Sequence, residues 1–354
     1  MQLEELLRAV VVLKKRKTIS PRRTFALLAT TYVATQSPYL AMVNAMDSAK
    51  QRAVTILDGT ATAKAIRLEL KNEVMELARM HGVTPGLGVV LVGDRTDSAS
   101  YVRMKTKVAA EVGILLKETR LPASTTTESV VEAVELLNAD TEIHGILVQL
   151  PLPAAVDESK VLTSILVRKD VDGFSAENIG KLMLKGEAPL ARPCTPAGCL
   201  ELLRRYEVPL AGQRAVVLGR SNIVGAPLAA MLTACDATVT LCHSRTKDLS
   251  KICQEADILV AAMGKAHFVQ KDWLKDGVAI VDVGINAVDD PTAKRGYRLV
   301  GDVHPDAMDL ASFMTPVPGG VGPMTIAMLM DNVLNLTRHS LNLPPRGPLG
   351  GQAS

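Results

Sequence analysis

The sequence has no Cys-x-x-Cys pair. Its five cysteines, Cys194, Cys199, Cys235, Cys242 and Cys253, are scattered and odd in number, which argues against a secreted disulfide framework and fits a reducing compartment. It has no cluster at metal-ligand spacing, so no metal is expected. It has no apolar run of about 18 residues or more, because Lys14, Lys15, Arg16, Lys17, Arg22 and Arg23 interrupt the N-terminal one. A soluble protein without a membrane partner is expected. Charge of one sign is also scarce. Residues 1–45 hold seven Lys/Arg against Glu4 and Glu5, a surplus of five, so in a chain of formal net charge +3 the remainder stands at −2. Such a body is not a polyanion binder, and no nucleic-acid partner is expected.

At 354 residues the chain has length for two domains, each with its own core. Positions 6–45 lack Asp and Glu altogether and combine basic residues with Ser/Thr-containing apolar sequence, the composition of an organellar presequence. Glu4 and Glu5 depart from that pattern. A disordered extension, or a true start at Met46, are the alternatives.

From position 56 the pattern becomes regular. Ile66, Leu70, Val74 and Leu77 recur at helical spacing after Asp58-Gly59, and 87–92 is a β-branched run that reads as a buried strand. A helix over 98–112 closed by Gly113, a strand over 114–120, a helix opened by a Thr125-x-x-Glu128 capping box and a strand over 143–150 follow. This alternation predicts a parallel α/β sheet. Tyr101 and Lys105 fall four residues apart on one helix face, either a surface pair or a phenol beside a working ammonium. Gln149 closes the strand that runs into Pro151-Leu152-Pro153, at the carboxyl end where open α/β sheets bind ligands. Asp170 and Asp172 flank a turn at Gly173, where simple turn chemistry is the competing explanation.

After Pro193-Cys194-Thr195-Pro196 and a helix to Tyr206, a second α/β unit begins. A strand over 215–218 enters Gly219-Arg220-Ser221-Asn222-Ile223-Val224-Gly225 and then a helix over 226–232, a geometry that presents backbone donors to a pyrophosphate. Ser221 takes the place of the second glycine of the usual fingerprint. The next strand, 237–242, ends in His243-Ser244-Arg245-Thr246, with no acid for a free ribose hydroxyl; Arg220, Ser244 and Arg245 suit a 2′-phosphate, so NADP is expected over NAD. Further strands are predicted over 257–263, ending in Gly264, over 278–283, ending in Gly284-Ile285-Asn286, and over 299–303, completing a Rossmann-type domain. Positions 315–326 hold three prolines and three glycines, which forbids a regular element and predicts a shaped loop leading into a helix with Ile326, Leu329, Val333 and Leu336 on one face.

Seven motifs in order, Tyr101-x-x-x-Lys105, Val148-Gln149-Leu150-Pro151-Leu152-Pro153, Asp170-Val171-Asp172-Gly173, 193–196, 219–225, Val283-Gly284-Ile285-Asn286 and the Pro/Gly loop, closely resemble the bifunctional methylenetetrahydrofolate dehydrogenase/methenyltetrahydrofolate cyclohydrolase family over about 56–336. The resemblance implies an α/β architecture of a folate-binding catalytic domain (51–192, completed by a returning C-terminal helix, 324–343) and a Rossmann-type NADP domain (193–323), between a presequence or disordered extension (1–50) and a flexible tail (344–354). It implies a catalytic Lys105 assisted by Gln149, with Tyr101 and Asp172 at the folate. Val148, Leu150, Pro318, Gly319, Gly320, Val321 and Gly322 are implied as substrate contacts. Gly219, Arg220, Ser221, Ile223, Val224, Gly225, Ser244, Arg245, Gly264 and Ile285 are implied as NADP contacts. It further implies tetrahydrofolate derivatives as partners, a homodimer, no resident metal, and a place in one-carbon metabolism that supplies purine biosynthesis. The location is mitochondrial if 1–45 act as a presequence and cytoplasmic otherwise. A different Rossmann oxidoreductase would leave Tyr101, Lys105 and Gln149 unexplained together, and a non-catalytic binder would be expected to have lost Lys105.

Overall fold

Local sequence explains most of the boundaries. The computed structural model describes residues 54–293 and 296–346, apart from the side chains of Thr96 and Asp97; the N-terminal basic segment lies outside them. Helix α1 (Gly59–His81) opens on Asp58, whose carboxylate accepts the Ala61 N–H at 2.9 Å, and closes on Gly82 in the left-handed region. Its buried stripe includes Ile66, Leu70, Val74 and Leu77, each such burial contributing about 1.5–3 kcal/mol. Helix α2 (Thr96–Val112) closes on Gly113, as the sequence predicts.

Strands β2 (Gly86–Val92), β3 (Leu115–Leu121) and β4 (Gly145–Val148) form a parallel sheet in the order β3-β2-β4, with every residue of β2 buried. Helix α3 (Thr127–Ala139) crosses between β3 and β4. Its cap is Thr126, whose hydroxyl accepts the Ser129 N–H at 3.2 Å, so the expected Thr125/Glu128 box is displaced by one residue. Helices α4 (Glu158–Ser164), α5 (Ala176–Met183) and α6 (Cys194–Arg205) lead to the second sheet.

That sheet is all parallel, in the order β1-β11-β8-β7-β5-β6. It is built from β1 (Thr55–Ile56), β5 (Arg214–Leu218), β6 (Thr238–Cys242), β7 (Ile258–Ala261), β8 (Val278–Asp282) and β11 (Ala311–Met314), with α7 (Gly225–Ala234) and α8 (Leu249–Gln254) as crossovers. The strand expected over 299–303 is not part of it. β10 (Tyr297–Val300) instead pairs antiparallel with β9 (Asn286–Asp289) as a separate ribbon; β9 alternates in exposure, while β10 is exposed at Tyr297 and Arg298 and buried only at Val300. The place beside β8 goes to β11, whose Ala-Ser-Phe-Met sequence carries no β-branched run, and β1 extends the sheet beyond it. The chain therefore contributes to its second sheet before it begins its first.

The final helix, α9 (Val321–Ser340), begins inside the 315–326 stretch expected to be a loop, with Gly322 and Pro323 in its first turn where a proline's missing N–H costs nothing, and packs against both α1 and α6. Leu329, Val333 and Leu336 are buried as expected, within a core that also takes in residues of both sheets. The tail expected to be loose from 344 is docked at its start: Arg346 Nε donates to Glu73 at 2.7 Å, its other nitrogens pair with Glu73 and Asp331, and its side chain is 7% exposed.

Candidate active site

Helix α2 presents Tyr101 and Lys105 one turn apart. The Lys105 ammonium donates to Gln149 Oε1 at 2.8 Å, and Gln149 Nε2 donates to the Leu150 carbonyl at 2.8 Å, which fixes which end of the amide faces the lysine. Gln149 reaches this position because β4 ends at Val148. Val148 itself lies 1% exposed in the core among Val90, Val92 and Val130, so this expected substrate contact supports the strand end rather than lining the cleft.

The two aspartates of the turn divide the work. Asp170 takes the turn chemistry, accepting the N–H groups of Gly173 (3.0 Å) and Ser175 (2.7 Å) and the Asn178 amide (3.0 Å). Asp172 is the electrostatic partner of Lys105. Burial raises its pKa from the ordinary 3.8 to about 6, against the pull of Lys105. Burial likewise lowers the pKa of Lys105, while Asp172 and then Cys194 oppose the shift. The Cys194 thiol is pushed well up by burial, which leaves it an inert packing group rather than a nucleophile.

Asn332 on α9, which sequence spacing did not single out, secures this corner. Its amide donates to the Val171 carbonyl (2.8 Å) and the Arg192 carbonyl (2.7 Å), and its oxygen accepts the Arg192 N–H (3.2 Å). The segment carrying Asp172 and the connection between the two sheets are thereby tied to the last helix.

Tyr101, 45% exposed, lines a cleft of about 440 Å³. Pro318, Gly319 and Gly320 of the Pro/Gly loop, Val321 and Gly322 of the first turn of α9, and Ile285, which the sequence reading had given to the nucleotide, line the same cleft. Asp282 and Leu299 also line it; neither was anticipated. The peptide bonds Leu150–Pro151 and Val317–Pro318 are cis.

A second cavity, about 540 Å³, opens at the carboxyl ends of β5 and β6. Gly219, Arg220, Ser244 and the unanticipated Thr246 and Lys265 line it, and among the described residues no carboxylate does. Among the described residues Arg220 makes no ion pair, so its charge is uncommitted. Gly219 is required: a Cβ there would sit 2.2 Å from the Ala262 carbonyl oxygen. Arg245, Ser221, Ile223, Val224, Gly225 and Gly264 are not in the wall. Ser221 folds the loop on itself instead, its hydroxyl accepting the N–H groups of Val224 (3.2 Å) and Gly225 (3.4 Å) and its carbonyl that of Ala226 (3.1 Å). Since Pro227 has no N–H, the first-turn donors of α7 are engaged internally, and what the turn offers the cavity is Gly219 and Arg220. The donor set fits a phosphorylated dinucleotide.

Lys105, Gln149 and Asp172 are not in the wall of either cavity, but Lys105 is one helical turn from Tyr101 of the second cleft. A parallel sheet with a basic cavity, together with this lysine–amide–carboxylate cluster, defines a dinucleotide-dependent enzyme of the α/β class. Residues 57–172 match the family model described as tetrahydrofolate dehydrogenase/cyclohydrolase, catalytic domain, and residues 193–341 match the NAD(P)-binding domain of the same family. The bifunctional protein FolD 2 of Arabidopsis thaliana is 53% identical over 291 residues, 82% of this chain and 97% of that protein. The chloroplastic bifunctional protein FolD 4 of the same plant is 51% identical over 297 residues, 84% of this chain and 82% of that protein. The crystal structure of the Trypanosoma brucei N5,N10-methylenetetrahydrofolate dehydrogenase-cyclohydrolase, complexed with NADP cofactor and inhibitor, has a TM-score of 0.78 at 43% identity, covering 81% of this chain and 98% of that one. The chain belongs to the tetrahydrofolate dehydrogenase/cyclohydrolase family.

Proposed function

We propose that the two cavities and the Lys105 cluster serve two consecutive reactions. In the first, 5,10-methylenetetrahydrofolate is oxidised to 5,10-methenyltetrahydrofolate with NADP; in the second, the methenyl compound is hydrolysed to 10-formyltetrahydrofolate. NADP, when bound, supplies the hydride acceptor. Arg220, Ser244, Thr246 and Lys265 would hold its phosphates, since they bring charge and hydroxyl donors to a cavity without a carboxylate. Tyr101 and the 318–322 loop would hold the folate in the cleft.

The observation that carries the reading is the 2.8 Å contact of Lys105 with Gln149 beside Asp172. Loss of hydride from the methylene carbon leaves a cation with no proton to remove, so the oxidation needs placement rather than a base. Hydrolysis does need proton handling. Water adds to the methenyl carbon and gives up both its protons as its oxygen becomes the formyl carbonyl, the bond from that carbon to N5 breaks, and N5 takes up one proton, with one proton released overall. A lysine held by an amide and lowered by burial has its neutral amine within reach for the first transfer and its ammonium for the second. A two-step spectrophotometric assay tests this: NADPH formation from methylenetetrahydrofolate, then decay of methenyl absorbance. Neither signal from purified protein would sink the proposal.

Residues 51–192 with 324–343 are read as the folate domain, except for β1 (Thr55–Ile56), which joins the other sheet, and 193–323 as the NADP domain. The pair of reactions belongs to one-carbon metabolism and would supply purine biosynthesis. A homodimer is proposed through the edge strand β6, where Thr238, Thr240 and Leu241 are exposed; light scattering at a monomer's mass would refute it. Among the described residues no helix is long and apolar enough to cross a membrane. If residues 1–45 are a presequence, a reporter fused to them goes to mitochondria; a diffuse signal would place the protein in the cytoplasm.

A further inference from the structure

The chemistry above uses neither of two buried carboxylates, Asp282 in the lining of the folate cleft and Asp302 beside it. Asp302 is 0% exposed. Its Oδ2 accepts the backbone N–H groups of Met263 (2.6 Å) and Gly264 (2.9 Å), and its Oδ1 those of Lys265 (2.8 Å) and the Asn286 side-chain amide (2.9 Å). Asp282, 2% exposed at the end of β8, accepts the N–H of Asp302 itself (2.9 Å) together with those of Gly284 (3.0 Å) and Val303 (2.9 Å).

Neither charge is met by a Lys or Arg among the described residues. Their oxygens are met instead by N–H donors, which are left without an acceptor if the carboxylate is removed. The backbone is cut to fit them. A Cβ on Gly284 would lie 2.2 Å from Asp302 Oδ1, and one on Gly301 would lie 1.9 Å from Asp282 Oδ2. The donors come from two walls. Met263 and Lys265 line the nucleotide cavity, while Gly284 and Ile285, next to Asn286, line the folate cleft.

We propose that Asp302 is a positioning residue for hydride transfer: it clamps the 263–265 loop of the nucleotide cavity to the 284–286 loop of the folate cleft and so sets the separation of the two reactants. The inference rests on the dehydrogenase–cyclohydrolase reading. It assigns Asp302 to one of the two reactions only, because Lys105, Gln149 and Asp172 are carried by the other sheet and its connections and share no hydrogen bond with Asp302.

The test is Asp302→Asn in the full chain, with both activities measured separately. An amide offers one acceptor oxygen and turns its NH2 on backbone donors, so the clamp loosens without loss of volume. Dehydrogenase kcat/KM for NADP should fall roughly ten- to a hundredfold with a raised KM for NADP, as misplacement by about an ångström does. Hydrolysis of methenyltetrahydrofolate supplied directly should stay within about twofold. Equal loss of both activities would reduce Asp302 to a fold-supporting residue, and retention of both would remove its role; either overturns the proposal. Should Asp302→Asn fail to fold, Asn286→Ala removes one donor only and must show the same selective loss, about three- to tenfold; an equal loss or none is again fatal. Failure of the functional reading looks different, since the unmodified chain would then show neither activity.

Discussion

Lys105 and Gln149 are 44 positions apart in sequence and 2.8 Å apart in space. Parallel pairing of β2 with β4, together with the packing of α2 against β2, brings the helix side chain over the strand end. The contact gives the lysine a neutral partner, while burial keeps its proton loosely held. Lys105→Gln removes the proton carrier and keeps a polar side chain of similar reach. Methenyl hydrolysis should drop about a hundredfold or more, while NADP-dependent oxidation survives in part, because the oxidation needs no base. Hydrolysis at the wild-type rate would transfer the role elsewhere.

Arg220 stands uncommitted in the wall of the nucleotide cavity. Charge-assisted contacts contribute about 1.5–3 kcal/mol, so Arg220→Ala should lower kcat/KM for NADP roughly ten- to a hundredfold and leave that for NAD nearly unchanged. Specificity constants for both cofactors provide the check. Equal losses would move Arg220 to the shared pyrophosphate.

Asp172 makes stability depend on pH in a definite direction. Its pKa is raised by burial from 3.8 to about 6, so the folded state holds the proton more tightly than the unfolded chain. The wild type therefore loses stability as pH rises from about 4 to about 6, and above that window it carries a penalty of up to about 3 kcal/mol, at ~1.4 kcal/mol per pH unit. Asp172→Asn lifts the penalty. Its gain in urea midpoint should be present at pH 7.5 and nearly absent at pH 4; a gain independent of pH would mean that packing, not charge, is responsible.

Arg346 closes the described part of the chain on Glu73 and Asp331, and Asp331 is only 4% exposed. Arg346→Ala strands that carboxylate, although Arg192 at 3.6 Å offers partial compensation. A loss of roughly 2–4 kcal/mol is expected from denaturant unfolding. A change within about 0.5 kcal/mol would show that the tail adds nothing.

The sequence by itself determined the alternating α/β class, the helix stripes and most helix ends, while Lys105, Gln149 and Asp172 came from motifs that resemble a family. These rest on local spacing: a 3.6-residue period, glycine stops and motifs contiguous in the chain carry their meaning without knowledge of the neighbours. Only the tertiary structure decided which strands share a sheet. It put β11 beside β8 and moved 297–300 into a ribbon, since short strands are assigned by the partner they find and not by their own residues. It also gave Asp170 its turn donors and Asp172 its place near Lys105, a division that the resemblance had named and that the spacing of two identical side chains does not explain. The same holds for Asn332, Arg346 and the pair of Asp282 and Asp302. Each meets donors or partners drawn from segments distant in the chain, and no spacing within one segment encodes a meeting that the order of the strands creates.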